Sequence, residues 1–534
     1  MSRHELLIDG RPQAATHYDR VIDPATEERV GEAARASLEQ VDQAAEAAHR
    51  AFPGWAADLD LRRQSLARAA ERVREHAQAL AELITREQGR PLRSTLEEVA
   101  GVAATFEHHA HLDLPADTSL RDDDERLVRI TRKPLGVVAA ITPWNVPLIL
   151  LVLKIAPALH AGNTVVAKPS EHTPLSTLLL ARLLGDVFPA GVLNVVAGAG
   201  DVGEQLIRHP LVRHVTFTGS VATGKRLYAH AADDLKRLTL ELGGNDAALV
   251  LEDADLDAIV EPLFWGAFWN SGQVCFAIKR LYVHDSLFEP LLAKLAERAQ
   301  RTRLGHGLDP QTELGPLTNA QQLERVIALL EDAKAHGAQI HSGGAKLDGA
   351  GYFYPPTLVS GVGAGVALVD EEQVRPGVAG DSVPRRGRRY RPGQRQPLRP
   401  RRVGMDPRPG ARRSHRRATA SGPCLGQPAR PHPARRAKGW AQVERPRLRG
   451  RPARIRSLQR TPGPEHFAAL RRGLLGSKPP HPNPLPRAGE GTVRRRMELP
   501  RQPARTAPLQ RERAGVRGTR LHRPPKKQSF QPNP

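Results

Sequence analysis

Cysteine, methionine and aromatic residues are all scarce in this sequence. Its 534 residues include two cysteines, three methionines and 4% phenylalanine, tyrosine and tryptophan. Two cysteines cannot build a disulfide framework, which indicates a reducing compartment, so we expect a cytoplasmic protein. The start, MSRHELLIDG, has no apolar core of the secretory kind, so we also expect no signal peptide.

Long apolar runs are absent as well. The most apolar stretch, 137–161, is interrupted by Pro147, Lys154 and Pro157. A bilayer span needs about 20 mostly apolar residues in a row. We therefore expect no membrane-spanning segment.

Charge is distributed unevenly along the chain. Residues 1–373 contain 37 Lys and Arg against 50 Asp and Glu, a net charge of −13, whereas residues 374–534 contain 42 against 7, a net charge of +35. The first part has the composition of a globular protein with a large core. The second part has 38 Arg and 27 Pro in 161 residues, which predicts a mostly disordered tail.

Short apolar strands alternate with amphipathic helices in the first part of the chain. This alternation predicts an α/β fold with a doubly wound parallel sheet, in which ligands lie at the carboxyl ends of the strands. The pattern restarts near residue 241, which predicts a cofactor-binding domain over 1–240, with bridging strands at about 120–140, and a second α/β domain over 241–373. The segments read as helices are 39–51 and 62–88, and those containing strands are 127–143, 163–174, 192–198 and 214–220.

One cysteine has neighbours that suit a reactive thiol. The segment WNSGQVCFAIKR places Cys275 after a Ser-Gly pair and before Lys279 and Arg280. The thiolate is the attacking species, and a helix beginning at residue 276 would favour it through its free amide groups. The alternative is a structural cysteine that fills a core.

Two further polar residues are candidates for catalytic roles. Glu241 lies in an apolar strand before two glycines, where a raised pKa would suit a general base; the alternative is a solvated glutamate at a strand end. Asn145 lies between two prolines in ITPWNVPL, which stiffen the turn. Its amide could donate to a developing oxyanion, or it could form an Asx turn.

Two glycine-containing segments could face a phosphate group. GAGDVG, at 198–203, fits G-x-G-x-x-G, but Gly219 and Ser220 stand where the acidic residue of a dinucleotide fingerprint belongs, about twenty positions later. We therefore do not interpret it as that fingerprint. FTGSVATGK instead predicts a strand, a Gly-Ser turn and a helix N-terminus, which suits an anion.

Taken together and in order, seven segments resemble the NAD(P)-dependent aldehyde dehydrogenase superfamily. The resemblance covers residues 1–373, and it implies that 241–373 is only the N-terminal part of a truncated catalytic domain. The segments are ITPWNVPL, KPSEHTPLS, GVLNVVAG, FTGSVATGK, LELGGNDAALVLEDADLD, GQVCFAIKR and DPQTELGPL.

The resemblance implies oxidation of a small aldehyde to a carboxylic acid. Cys275 would attack the aldehyde carbon, and the Asn145 amide and the Cys275 backbone N–H would hold the thiohemiacetal oxyanion. Hydride transfer to the nicotinamide would leave a thioester. Glu241 would then activate the water that hydrolyses it.

The resemblance also implies a bound dinucleotide and no metal. Glu171 would repel a 2′-phosphate, so NAD is expected rather than NADP. Family members form homodimers or homotetramers, but the strand that pairs across the dimer would be missing here. The implied cofactor residues are Ile141, Thr142, Pro143, Trp144, Lys168, Glu171, Gly203, Gly219, Ser220, Leu242, Gly243 and Glu372.

The family pattern breaks directly after Glu372. An E-x-F-G-P pattern is expected, but the chain reads EQVRPGVAGD. Dropping the first base of the Val374 codon permits Phe-Gly-Pro-Val-Leu-Pro-Val-Ile, which is the expected continuation. One inserted base would also explain the Arg/Pro-rich composition, because a GC-rich gene read out of frame becomes rich in these residues. We interpret 374–534 as an out-of-frame tail.

Two other hypotheses remain open. The chain could be a non-catalytic remnant of the same fold, a pseudoenzyme. The basic tail could instead bind nucleic acid, although it lacks RGG-type repeats and the aromatic residues on which bases stack. Because strands in 241–373 would lose partners and leave an apolar face uncovered, we expect an unstable chain with little activity.

Overall fold

The computed structural model describes residues 2–122, 127–371, 377–383, 402–405 and 424–425, all within the compact unit Met1–Lys478. The strands in these ranges are β1 (Arg3–His4), β2 (Leu6–Ile8), β3 (Arg11–Gln13), β4 (His17–Ile22), β5 (Arg29–Arg35), β6 (Thr118–Asp122), β7 (Leu127–Ile130), β8 (Val137–Ile141), β9 (Thr164–Lys168), β10 (Leu193–Val195), β11 (Val212–Gly219), β12 (Arg237–Leu242), β13 (Asp246–Val250), β14 (Ile278–His284), β15 (Gln339–Ser342), β16 (Thr357–Ser360), β17 (Gly377–Val383), β18 (Arg402–Met405) and β19 (Cys424–Leu425).

Helices separate most of these strands along the chain. They are α1 (Leu38–Ala57), α2 (Leu59–Glu75), α3 (Ala77–Gln88), α4 (Leu92–His111), α5 (Pro147–His160), α6 (Leu175–Leu184), α7 (Gly200–Arg208), α8 (Val221–Ala232), α9 (Leu256–Phe268), α10 (Asp285–Gln300), α11 (Ala320–Ala335) and α12 (Ala367–Asp370). Among the described residues, none of these helices combines the length and the apolar character that a membrane crossing requires.

The first large sheet has the strand order β12-β11-β8-β9-β10-β2-β3. The five strands from β12 to β10 run parallel, and β2 and β3 complete the sheet in antiparallel pairings. The central strands β8 and β9 read VVAAI and TVVAK and are buried along their whole length. Parallel strands covered on both faces need such continuous apolar sequences, and the predicted α/β doubly wound fold is confirmed.

The predicted helix over 62–88 is two helices, α2 and α3. His76 separates them because its φ of −110° and ψ of 19° leave the helical region. The Nδ1 atom of its ring lies 3.0 Å from the Arg72 carbonyl oxygen, in the last turn of α2. A polar residue bonded to the preceding turn ends the first helix, which the apolar periodicity alone does not reveal.

Two buried glutamates hold the starts of helices α5 and α6. Glu98 accepts from the backbone N–H groups of Leu148 and Ile149, at 2.8 and 2.9 Å. Glu87 accepts from the two backbone N–H groups at 175–176, at 2.7 and 3.0 Å. A carboxylate there satisfies free N–H groups and interacts favourably with the helix dipole. Helices α3 and α4 therefore fix the loops that follow β8 and β9.

The second large sheet has the order β15-β16-β17-β14-β13-β18-β19, with β15 antiparallel to its neighbour. The expected loss of strand partners in 241–373 is wrong for the backbone. Strand β17 pairs with both β14 and β16, and β18 pairs with β13. Ladder hydrogen bonds use main-chain groups that every non-proline residue carries, so a segment of unusual composition can still form them.

A small apolar cavity lies beside β17, between β14, β16 and α10. In the β14–β17 register, Leu281 stands beside Gly380 and Val283 beside Ser382. The residues at these two register positions are glycine and serine. The cavity is lined by Leu281, Val283, Phe288, Leu291, Leu292, Leu295, Leu358 and Val359.

A two-stranded antiparallel ribbon, β6 with β7, lies in the range predicted for bridging strands. The domain boundaries at 240 and 373 stay predictions. Most of the predicted disordered tail falls outside the described residues.

Candidate active site

The carboxyl ends of four neighbouring strands meet at one edge of the first sheet. Ile141 pairs with both Lys168 and Phe217, and Leu242 pairs with Gly219. This register brings most predicted site residues to the same edge, as expected for a parallel sheet. The residues at or just beyond these strand ends are Ile141, Thr142, Pro143, Trp144, Asn145, Lys168, Glu171, Gly219, Ser220, Glu241, Leu242 and Gly243.

Cys275 lies in a loop between α9 and β14, and its side chain is half-buried. A short 3₁₀ turn, Trp269–Gly272, precedes it. No helix begins at residue 276, because strand β14 begins at Ile278. The β14 sequence, IKRLYVH, is mostly buried and lies between β13 and β17. Sheet pairing therefore determines the conformation after the cysteine, and in the described part of the chain no helix starts directly after Cys275.

Asn145 is bonded directly to the loop that carries Cys275. The Asn145 Nδ2 donates to the Gln273 backbone carbonyl oxygen at 2.8 Å. The Asn145 backbone carbonyl oxygen accepts from Asn270 Nδ2 at 3.0 Å. A side-chain amide has two N–H donors, so one can remain for another acceptor. The half-buried Asn145 amide is thus fixed to the loop that carries the thiol.

Gly244 connects the ELGG segment to the same loop. A Cβ atom added at this glycine would lie 2.5 Å from the Cys275 carbonyl oxygen and 3.0 Å from Asp246 Oδ1. Next to it, Asn245 is fully buried, and its Nδ2 donates to the Val369 carbonyl oxygen at 2.8 Å. Only a residue without a side chain permits this approach of the two segments.

Glu241 stands near a buried lysine that the sequence analysis missed as a site residue. Lys154 is 8% exposed. Burial lowers the pKa of Lys154 to about 8, although the Glu241 carboxylate acts in the opposite direction. The sequence feature that could have indicated this role is a lysine within the apolar helix α5. The sequence analysis interpreted that lysine only as an interruption of an apolar stretch. Its Nζ donates to Thr216 Oγ1 at 3.4 Å.

Lys168 and Gly203 meet at the end of β9. The Lys168 side chain is 5% exposed, and its Nζ donates to the Pro169 carbonyl oxygen at 3.0 Å. Burial lowers the pKa of Lys168, against the charges of Glu171 and Asp201. A Cβ atom added at Gly203 would lie 3.5 Å from Lys168 Cδ, so this turn of α7 packs on the lysine stem.

Polar groups at this edge fit a dinucleotide. Thr142 Oγ1 is buried and has no hydrogen-bond partner in the described part of the chain. Ser220 caps α8 by accepting from the Thr223 backbone N–H at 3.2 Å, which directs a helix N-terminus towards the edge. Glu372, predicted to hold the nicotinamide ribose, lies outside the described residues. Within the described ranges, no cluster of His, Cys, Asp and Glu is arranged to hold a metal ion.

The fold and this strand-edge site define an α/β oxidoreductase of the aldehyde dehydrogenase type. The sequence profile of the Aldehyde dehydrogenase family matches residues 12–377. The chain therefore belongs to the aldehyde dehydrogenase family, whose members oxidise aldehydes with NAD or NADP.

Known relatives agree with this assignment. The chain is 38% identical over 362 residues to glutarate-semialdehyde dehydrogenase from Pseudomonas putida, covering 67% of this chain and 75% of the relative. It is 36% identical over 381 residues to the NADP-dependent succinate-semialdehyde dehydrogenase of Escherichia coli, covering 70% and 79%. The NAD⁺ complex of aldehyde dehydrogenase from Bacillus cereus matches with a TM-score of 0.75 at 29% identity, covering 81% of this chain and 90% of that one.

Proposed function

We propose that Cys275 is the nucleophile of an NAD-dependent aldehyde oxidation. One observation carries the proposal: the Asn145 amide donates to the Gln273 carbonyl, two residues before the thiol, at 2.8 Å. An oxyanion donor that is hydrogen-bonded to the loop carrying the nucleophile suits thiohemiacetal formation.

The side chains divide the reaction into two stages. The Cys275 thiolate adds to the carbonyl carbon, and the free Asn145 N–H stabilises the resulting oxyanion. NAD, when bound at the strand edge, supplies the hydride acceptor. Glu241, at the end of β12, removes a proton from the water that attacks the thioester, and the acid and the thiol are released. The Glu241 carboxylate in turn acts to raise the pKa of the buried Lys154.

Glu171 favours NAD over NADP. It is exposed at the end of the segment that follows β9. A carboxylate there repels a 2′-phosphate and accepts from ribose hydroxyl groups instead. Because relatives include NADP-dependent enzymes, the choice of cofactor is a point to measure.

The test is reduced-cofactor formation on a panel of small aldehydes, with NAD and NADP in parallel. We expect turnover with NAD that disappears in Cys275→Ala. Equal rates with both cofactors would contradict the role of Glu171. Turnover that survives in Cys275→Ala would contradict the nucleophile assignment.

We further propose that one inserted base near codon 374 impairs this chain. The family match stops at residue 377, close to the position where the expected Phe-Gly-Pro fails. This observation also favours the second candidate, a non-catalytic remnant of the fold. Sequencing the DNA around codon 374 tests the insertion, and we expect one surplus base, with codons for Phe-Gly-Pro-Val-Leu-Pro-Val-Ile in the neighbouring frame. A gene without the surplus base, or without that continuation in the neighbouring frame, would contradict it.

A further inference from the structure

The turn before the nucleophile loop is held in a backbone conformation that its residues rarely adopt. Asn270 and Ser271 both have φ of 53°, with ψ of 38° and 34°. Both residues are 4% exposed. Left-handed conformations at residues other than glycine cost of order 1 kcal/mol each and persist only where surrounding contacts hold them.

The Asn270 side chain provides these contacts, and they extend to Asn145. Its Nδ2 donates to the Asn145 carbonyl oxygen at 3.0 Å and to the Gln273 carbonyl oxygen at 3.4 Å. The Gln273 carbonyl also accepts from Asn145 Nδ2. Asn145 is therefore fixed at its backbone by Asn270 and at its amide by Gln273. Both contacts start from the turn that leads to Cys275.

Gln88 fixes the Asn270 amide from the opposite side. This residue ends helix α3 and is fully buried. Its Nε2 donates to Asn270 Oδ1 at 3.0 Å and to Thr318 Oγ1 at 3.2 Å, while its Oε1 accepts from the Arg90 backbone N–H at 3.1 Å. The orientation of Asn270 is thus determined, since its oxygen faces a donor and its nitrogen faces two carbonyls.

We infer that Asn270, oriented by Gln88, is a positioning residue that sets the Asn145 amide against the Cys275 thiol. The inference rests on the proposed function, in which Asn145 stabilises an oxyanion. Ser271 provides a matched comparison. It has the same φ, but its Oγ donates to the Gly315 carbonyl oxygen at 2.7 Å rather than to Asn145.

Two reagents separate donor positioning from thiol access. With p-nitrophenyl acetate, a C–S bond forms through a tetrahedral oxyanion and p-nitrophenolate leaves, so the rate depends on the donor amide. With iodoacetamide, a C–S bond forms as iodide leaves and no oxyanion develops, so the rate depends on thiolate fraction and access. The ratio of the acylation rate to the alkylation rate therefore reports how well the donor amide is positioned. The full-length chain carrying Cys424→Ser has Cys275 as its remaining thiol.

Asn270→Gly is the first variant, because glycine accepts the left-handed turn but makes no side-chain bond. We expect acylation to fall by about tenfold or more, while alkylation stays within about threefold. Ser271→Gly relieves the same strain and should change neither rate by more than about threefold. Asn270→Asp keeps the shape of the side chain but removes its N–H donor. It gives the same test if Asn270→Gly does not fold.

Asn145→Ala separates this inference from the proposed function. If Asn145→Ala lowers the acylation-to-alkylation ratio and the Asn270 variants do not, the positioning role is wrong and the oxyanion role stands. If Asn145→Ala leaves the ratio unchanged, both are wrong. A parallel fall of both rates in the Asn270 variants would show a general effect on the loop and would also overturn the positioning role.

Discussion

Lys154 illustrates how one side chain can affect both stability and chemistry. It is 8% exposed within helix α5, and burial lowers its pKa from 10.5 to about 8. Between these two values the unfolded chain binds more protons than the folded chain. The free energy of unfolding must therefore rise with pH in this window.

We predict that Lys154→Met abolishes this rise. In the parent chain it should amount to about 3 kcal/mol across the window from pH 8 to 10.5, because one pKa unit corresponds to about 1.4 kcal/mol. Urea unfolding at several pH values measures it. Lys225→Met, at an exposed position on α8, should keep the parent pH dependence. Parallel curves for the parent and Lys154→Met would show that this lysine is not the source.

Gly244 gives a second prediction for a single residue. Gly244→Ala should lower the free energy of unfolding by about 1–3 kcal/mol, because the added methyl group meets the Cys275 carbonyl oxygen. It should also alter the rate of Cys275 alkylation. Gly54→Ala is the control: this glycine lies in α1 with nothing within 4 Å of its added Cβ, so alanine should be neutral or stabilising. Equal effects of the two substitutions would contradict the close approach.

At the level of elements, strand β17 stands beside a small apolar cavity. We predict that Gly380→Ala raises the free energy of unfolding by about 1 kcal/mol, since each buried CH₂ contributes about 0.8 kcal/mol. Position 380 stands beside Leu281, which lines the cavity. Position 377 stands beside Thr357, which is not among the described lining residues, so Gly377→Ala should gain less. Midpoints of urea unfolding measure the two effects, and an unchanged or lower value for Gly380→Ala would contradict the cavity argument.

Elements with strong periodicity could be predicted from the sequence, and those fixed by tertiary contacts could not. The buried strands β8 and β9 follow directly from their continuous β-branched sequences. The left-handed turn at Asn270 depends on Gln88, distant in the chain, so local sequence carries no sign of it. The local sequence also left open whether a helix begins at residue 276, and pairing with β13 makes this segment part of strand β14.

For the whole molecule, the decisive comparison is between the present chain and one with the frame restored. Missing burial of even ~1,000 Å² of apolar surface corresponds to ~25 kcal/mol, which exceeds a typical net stability of ~5–15 kcal/mol. We predict that removing one base at codon 374 gives a protein with a higher thermal midpoint and clear aldehyde turnover. Equal turnover and equal thermal midpoints for the two proteins would contradict the proposal that an inserted base impairs this chain.

The backbone contact between residues 89 and 315 has a consequence for exchanging parts between family members. A Cβ atom at Gly315 would lie 1.9 Å from the Gly89 carbonyl oxygen, and one at Gly307 would lie 2.5 Å from that of Arg90. The Leu92 backbone N–H also donates to the Gly307 carbonyl oxygen at 2.8 Å. A chimera that joins the second half of this chain to the first half of another family member must therefore retain the native segment 88–92. Otherwise the backbones at these contacts will clash.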